Sequence, residues 1–201
     1  MGDLNTKDFF DHASTEWDKK VHHNEDKIKQ YLEYIDFAAK DSVLDVGTGT
    51  GIMLKFILPK LSESTKITAV DIAPKMLEIA RQKYQDPRVK FRLLDIEKEQ
   101  HRLENYDLIM LYSVFPHLQE KSKAIEAFSK CLTKNGELCI MHSNSRGEIN
   151  EMHKSLGEPV CYHQLPPVEI LKELGKKYNL EIRAALDEDE GYFFLARHTN
   201  D

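Results

Sequence analysis

Three glycines in five positions, Gly47, Gly49 and Gly51 in VLDVGTGTGI, stand directly behind a run at 43–46 that reads as a buried strand. No other stretch constrains the fold as much. A strand that enters a glycine-rich turn and then a helix brings bare backbone up to a ligand, because no Cβ intervenes and positive φ is accessible.

The rest of the chain has the texture that such a turn requires. SVLDV (42–46) is followed by a helix from about Ile52, and KITAV (66–70) by APKMLEIARQKY. VKFRLL (89–94), YDLIMLY (106–112), the helix EKSKAIEAFSKCL and GELCIMHS (136–143) continue the alternation. Short apolar strands separated by amphipathic helices predict a parallel sheet covered on both faces. LEIRAALDEDEGYFFLARH (180–198) reads instead as an antiparallel hairpin with an acidic, glycine-containing turn. PPVEILKELGKKYN (166–179) is the helix before it, with proline in its first turn. Residues 5–18 and 24–38 read as two helices of an N-terminal cap. The expectation is one doubly wound α/β domain over 1–201, with seven strands, mostly parallel, ending in the hairpin. Its parts are a helical cap (1–40), a core (41–145), a lid-like insertion (146–165), and a C-terminal helix and hairpin (166–201).

Composition removes several function classes. A chain of 201 residues supports one well-cored domain, and a net charge of −6 argues against a dedicated nucleic-acid binder. No stretch approaches the roughly 20 apolar residues of a membrane span. The start, MGDLNTKDFFDHAS, lacks the basic and apolar runs of a secretory signal. Gly2 with Thr6 fits a loose myristoylation pattern, against which the charge of Asp3 speaks. Cys131, Cys139 and Cys161 form no CxxC, and without an export signal they read as reduced thiols of a cytoplasmic protein. The sequence carries no mark of an oligomeric state.

Two ligand classes compete for the glycine turn. A dinucleotide fingerprint, G-x-G-x-x-G, would put its third glycine where Ile52 stands. Asp45 precedes the turn, where a carboxylate repels a pyrophosphate but receives an ammonium group. Asp71 ends the next strand, about 20 residues on, where an acid hydrogen-bonds ribose hydroxyls. Asp95 ends the third strand, within reach of an adenine amine. Together they point to a nucleoside with a cationic, amino-acid-like extension and no phosphate.

VLDVGTGTG, AVDIAPKMLEIARQKY, VKFRLLDIE, YDLIMLYSVFPHL and LTKNGELCIMHSNS occur in the order and spacing of the class I S-adenosylmethionine-dependent methyltransferases. The chain resembles their small-molecule branch, that of ubiquinone and menaquinone biosynthesis, over residues 9–145. The resemblance implies a Rossmann-like fold and S-adenosylmethionine as cofactor. It implies contacts from Asp45, Gly47, Gly49 and Gly51 to the methionine portion and from Asp71 to the ribose. Ile72 and Met76 would flank the adenine, and Asp95 with Ile96 would meet its amine edge. Tyr112 and Ser113 would lie near the transferred methyl. Taken singly, Tyr112 and Met76 are equally well explained as core. FFDHASTEWDKK resembles the cap of this family, which makes Phe10 and Trp17 candidate substrate residues, with helix packing the alternative for Phe9 and Phe10.

A sulfonium methyl is already activated, so a base is needed only where the attacking atom carries a proton. Among 9 histidines, His117 and His142 follow strands four and five on the ligand-bearing edge, and His153 lies in the insertion. These are the candidate catalytic residues. Read as a helix, the insertion has an apolar stripe, Ile149, Met152 and Leu156, and a polar one, Arg146, Asn150 and His153. The polar stripe faces either water or the substrate. With Cys161 and His163, the three histidines could instead hold a divalent metal, although no metal-site spacing is present. His22 and His23 read as a solvated connection. The expected function is methyl transfer from S-adenosylmethionine to a small molecule. The alternatives are a cofactor-binding protein without transferase activity and a metal-assisted methyltransferase using His117, His142 and His153.

Overall fold

A computed structural model describes residues 5–199, so the Gly2 pattern falls outside the described residues. Strand β1 (Ser42–Val46) lies mid-sheet, paired in parallel with β2 (Lys66–Asp71) on one side and β4 (Tyr106–Tyr112) on the other. Strand β3 (Val89–Leu93) extends the first side, and β5 (Leu132–His142) the second, both in parallel. The hairpin β6 (Leu180–Glu188) and β7 (Gly191–His198) closes the sheet, with β7 antiparallel to β5. The order is β3-β2-β1-β4-β5-β7-β6. It reverses direction at β1 and β4, which opens a crevice at their carboxyl ends.

Alternation along the strands divides the core in two. Leu108 and Met110 of β4 pack with Val43, Leu54 and Ile57 on one face, under α3 (Glu25–Leu32) and α4 (Ile52–Ile57). Ile109 and Leu111 pack with Leu44, Ile125 and Leu171 on the other, under α6 (Lys121–Lys130) and α8 (Val168–Lys177). These side chains are close to fully buried, each contributing about 1.5–3 kcal/mol by leaving water. α5 (Pro74–Lys83) follows β2 and buries Met76, Leu77 and Ala80.

Local chemistry moves several expected boundaries. The helix expected over 5–18 is broken into α1 (Thr6–Ala13), a 3-10 turn at Ser14–Glu16, and α2 (Trp17–Lys20). There the Ser14 hydroxyl donates to the Asp11 carbonyl and competes with the backbone ladder. The second cap helix ends at Leu32, and Asp36 caps a separate turn through the Ala38 N–H. Strand β5 starts at Leu132 rather than 136. A register shift opposite Tyr106 to Leu108 absorbs the extra residues, and a Cβ on Gly136 would come 2.8 Å from the Tyr106 carbonyl oxygen. α8 begins at Val168, after both prolines.

The insertion forms α7 (Arg146–Ser155), started by a capping box in which Ser145 and Glu148 satisfy each other's backbone N–H groups.

Candidate active site

A cleft of about 1530 Å3 opens over the carboxyl ends of β1, β2, β4 and β5. Single-ligand pockets are roughly 300–1,000 Å3, so there is room for a cofactor and a second molecule side by side.

One half is built from backbone. Gly47, Gly49 and Gly51 all have positive φ (66°, 55° and 90°), but they do different work. A Cβ on Gly47 would run into Val114, and one on Gly51 would come 2.8 Å from the Tyr84 ring. Only at Gly49 would a Cβ meet nothing within 4 Å. The Gly49 N–H donates to Asp71 Oδ2 at 2.8 Å, and the Ala73 N–H to Oδ1 at 2.9 Å. Gly47, Gly49, Asp71, Ile72, Met76, Asp95, Ile96, Tyr112 and Ser113 all line the cleft. Gly51 and Asp45 do not. Gly51 starts α4, and Asp45 is buried behind the turn, with its Oδ2 unpartnered. Burial pushes both Asp45 and Asp71 up to about 6. Asp95 also closes its own turn, accepting from the Glu97 N–H at 3.1 Å and pairing with Lys98 at 2.9 Å. Ser113, with φ 56° in the left-handed region, is a strained non-glycine residue at the cleft wall.

The cap closes over this half. Asp18 accepts from the Thr50 hydroxyl at 2.6 Å and pairs with Lys83, and Asp11 accepts from the Lys75 N–H at 2.8 Å. Phe10 and Trp17 line the cleft edge to face, with ring centroids 5.5 Å apart, and Phe10 meets His117 at 4.9 Å.

The other half is built from side chains brought from separate segments. His117, His142 and His153 all line it. His153 Nδ1 lies 2.6 Å from the His163 carbonyl oxygen. His117 Nδ1 lies 2.9 Å from His163 Nδ1, and His163 Nε2 lies 3.0 Å from Gln119 Nε2. The rings of His117 and His153 are 4.9 Å apart. His142 is buried with neither ring nitrogen partnered. Burial lowers all four histidines below their ordinary value, His117 well below and His142 to about 3. Each is a neutral imidazole at pH 7.

The structure corrects three expectations. The polar stripe of α7 does not face the cleft as a unit. Arg146 pairs with Asp187 at 2.7 Å, and Asn150 makes two hydrogen bonds to the Leu165 backbone, so both tie the insertion to the C-terminal region. The apolar stripe, Ile149, Met152 and Leu156, lines the cleft instead, with Ile149 buried and Met152 and Leu156 45% and 47% exposed. His23 is no solvated linker: its Nδ1 lies 2.7 Å from the Tyr112 hydroxyl, which also bonds Ser143 Oγ at 2.9 Å. For a metal, no group of three or more His, Cys, Asp or Glu suited to holding one occurs among the described residues. Nδ1 of His117, Nδ1 of His153 and both nitrogens of His163 are already engaged, with one another, with a carbonyl and with an amide. Gln119, Ser143 and the role of His163 escaped the sequence reading. Only the CYH triplet at 161–163 carried any signal.

A family described as "Methyltransferase domain" matches residues 43–136. The chain is 32% identical over 111 residues to a malonyl-[acyl-carrier protein] O-methyltransferase of Acetivibrio thermocellus, covering 54% of this chain and 38% of that protein. It is 29% identical over 163 residues to another from Ilyobacter polytropus, covering 79% and 58%. The chain thus spans well under two thirds of the length of these relatives. Among solved structures it resembles the N-methyltransferase NodS from Bradyrhizobium japonicum WM9 in complex with S-adenosyl-L-homocysteine, with a TM-score of 0.74, 16% identity, and 98% and 100% of the two chains covered. It also resembles a complex of the Haloferax volcanii Trm112 methyltransferase activator and a putative methyltransferase, with a TM-score of 0.82 and 13% identity over 98% and 99%. Its glycine turn, its acidic strand ends and this sheet order accord with a methyltransferase domain at 43–136, similar to those of the class I S-adenosylmethionine-dependent methyltransferases.

Proposed function

We propose that this chain transfers a methyl group from S-adenosylmethionine to a small-molecule acceptor whose attacking atom carries a proton, with His153 as the general base. The observation that carries the choice of base is the bond from His153 Nδ1 to the His163 carbonyl. A carbonyl only accepts, so Nδ1 holds the proton and Nε2 keeps the lone pair.

The residues of the glycine half fit the cofactor. Asp71 has carboxylate lone pairs left after accepting from Gly49 and Ala73, enough for ribose hydroxyls, and the space in front of Gly49 is open. The unpartnered Asp45 Oδ2 supplies negative potential beneath the turn, suited to the amino-acid end. When bound, S-adenosylmethionine supplies a methyl carbon already activated by its sulfonium.

His153 Nε2 would take up the acceptor's proton as the attacking atom bonds to the methyl that the cofactor would supply, its former bonding pair staying with sulfur. Its lowered basicity keeps it unprotonated at neutral pH, and an activated methyl asks little more of a base. Phe10, Trp17, Met152 and Leu156 offer the acceptor apolar surface to cover. The imidazole, aromatic and apolar side chains of this half favour a small, partly apolar acceptor over a nucleic acid. A cytoplasmic location, with free thiols at Cys131, Cys139 and Cys161, completes the reading.

Calorimetry with S-adenosylmethionine, S-adenosylhomocysteine and nicotinamide dinucleotides tests it directly. The first two bind; binding of a dinucleotide without either overturns the proposal.

A further inference from the structure

His153 is not alone in having its tautomer set by its surroundings. The Gln119 side-chain nitrogen lies 3.4 Å from the His117 carbonyl, which only accepts and so orients the amide with its nitrogen as donor, and the same nitrogen lies 3.0 Å from His163 Nε2. An amide nitrogen only donates, so His163 Nε2 accepts and a neutral His163 carries its proton on Nδ1. That nitrogen lies 2.9 Å from His117 Nδ1, which must then accept, leaving the proton of His117 on Nε2. His117 and His153 are neighbouring rings in one cleft wall, and the network gives them opposite tautomers.

We propose that Gln119 and His163 are positioning residues that hold the proton of His117 on Nε2, so that the acceptor half of the cleft offers one imidazole donor, from His117, beside one imidazole lone pair, from His153. His163 serves both rings at once, through its Nδ1 to His117 and through its backbone carbonyl to His153. Such a pair engages an acceptor through two atoms: the proton to be lost goes to His153, and a neighbouring oxygen is held by His117. The acceptor class is therefore a molecule with a hydroxyl or other acidic proton beside a second oxygen. Use of the pair in catalysis rests on the methyl-transfer reading; the hydrogen-bond polarity does not.

Nitrogen-15 spectroscopy on the histidine-labelled chain with S-adenosylhomocysteine bound reads the tautomers without any acceptor, with resonances assigned by single histidine replacements. The expected result is His117 protonated on Nε2 and His153 on Nδ1. Gln119 is exposed, so Gln119→Leu keeps the fold, and it should shift His117 to roughly equal tautomer populations while His153 stays as it was. Gln119→Lys, which keeps a donor, should restore the Nε2 proton. The same tautomer on both rings, or a His117 unmoved by Gln119→Leu, overturns the relay. Opposite tautomers in a protein that fails to bind S-adenosylhomocysteine would instead sink the methyl-transfer reading.

Discussion

The two halves of the cleft solve the same problem by opposite means. The glycine half is local: Gly47 to Asp71 spans one strand–turn–helix–strand unit, and its key contact is a backbone N–H on a carboxylate. The histidine half is assembled from the turn after β4, the end of β5, α7 and the loop before α8. The first half carries buried carboxylates raised toward neutrality, the second buried imidazoles held neutral. Rigid backbone suits an invariant cofactor. Side chains on variable connections suit an acceptor that differs from one family member to the next.

If the halves are separable, damage to one should spare the other. The largest effect is expected for His153→Ala, a loss of turnover of roughly 10²- to 10⁴-fold with S-adenosylhomocysteine affinity retained. Single-turnover kinetics beside calorimetry would show it, and a parallel loss of cofactor affinity would break the comparison. Next, Gly49→Leu should weaken cofactor binding by at least about a hundredfold, roughly 3 kcal/mol, because the side chain occupies the open space where the ligand lies. Unchanged binding would place the cofactor elsewhere. Asp71→Ala should cost about 1.5–3 kcal/mol of cofactor affinity, the range for hydrogen bonds to a charged group. The thermal midpoint of that variant reports whether the Gly49 and Ala73 N–H groups also depend on it.

pH should divide the halves by sign. Asp45 and Asp71 are raised from 3.8 to about 6, so the stability they contribute is fully present below 3.8 and lost as pH rises through 6. His142 is lowered from 6.5 to about 3, so its contribution is present above 6.5 and lost as pH falls. At about 1.4 kcal/mol per pH unit and group, His142 alone should cost about 2 kcal/mol by pH 5. Urea titrations of the ligand-free protein from pH 7 to 5 should therefore find His142→Phe less acid-sensitive and Asp45→Asn more so. The reverse order would mean that the orphaned His142 nitrogens have partners in solution. The smallest effect belongs to Arg146→Ala, at most about 1 kcal/mol of stability for a partly exposed ion pair. A selective loss of turnover there would return Arg146 to the acceptor site.

Legibility followed the same division. The strand–glycine–helix pattern, the acidic strand ends and the closing hairpin are short-range features, and the sheet and its topology could be read from them. Even there, packing decided individual roles: Gly51 and Asp45 stand in the motif, yet one starts a helix and the other lies behind the turn. The period of α7 showed two stripes but not which one faces inward. That was settled by distant partners, Asp187 for Arg146 and the Leu165 backbone for Asn150.

By itself the sequence determined what depends on neighbours along the chain: strand and helix period, the glycine turn, the alternation that buries two faces, and the family these motifs resemble. The tertiary structure alone decided which histidines meet, which ring nitrogens face a carbonyl or an amide, and that Gln119 lies against His163 and His23 against Tyr112. Those properties depend on contacts such as His117 with His163 and His23 with Tyr112, across 46 and 89 residues. No local pattern encodes such pairs, because their geometry exists only once the sheet has brought its strand ends together.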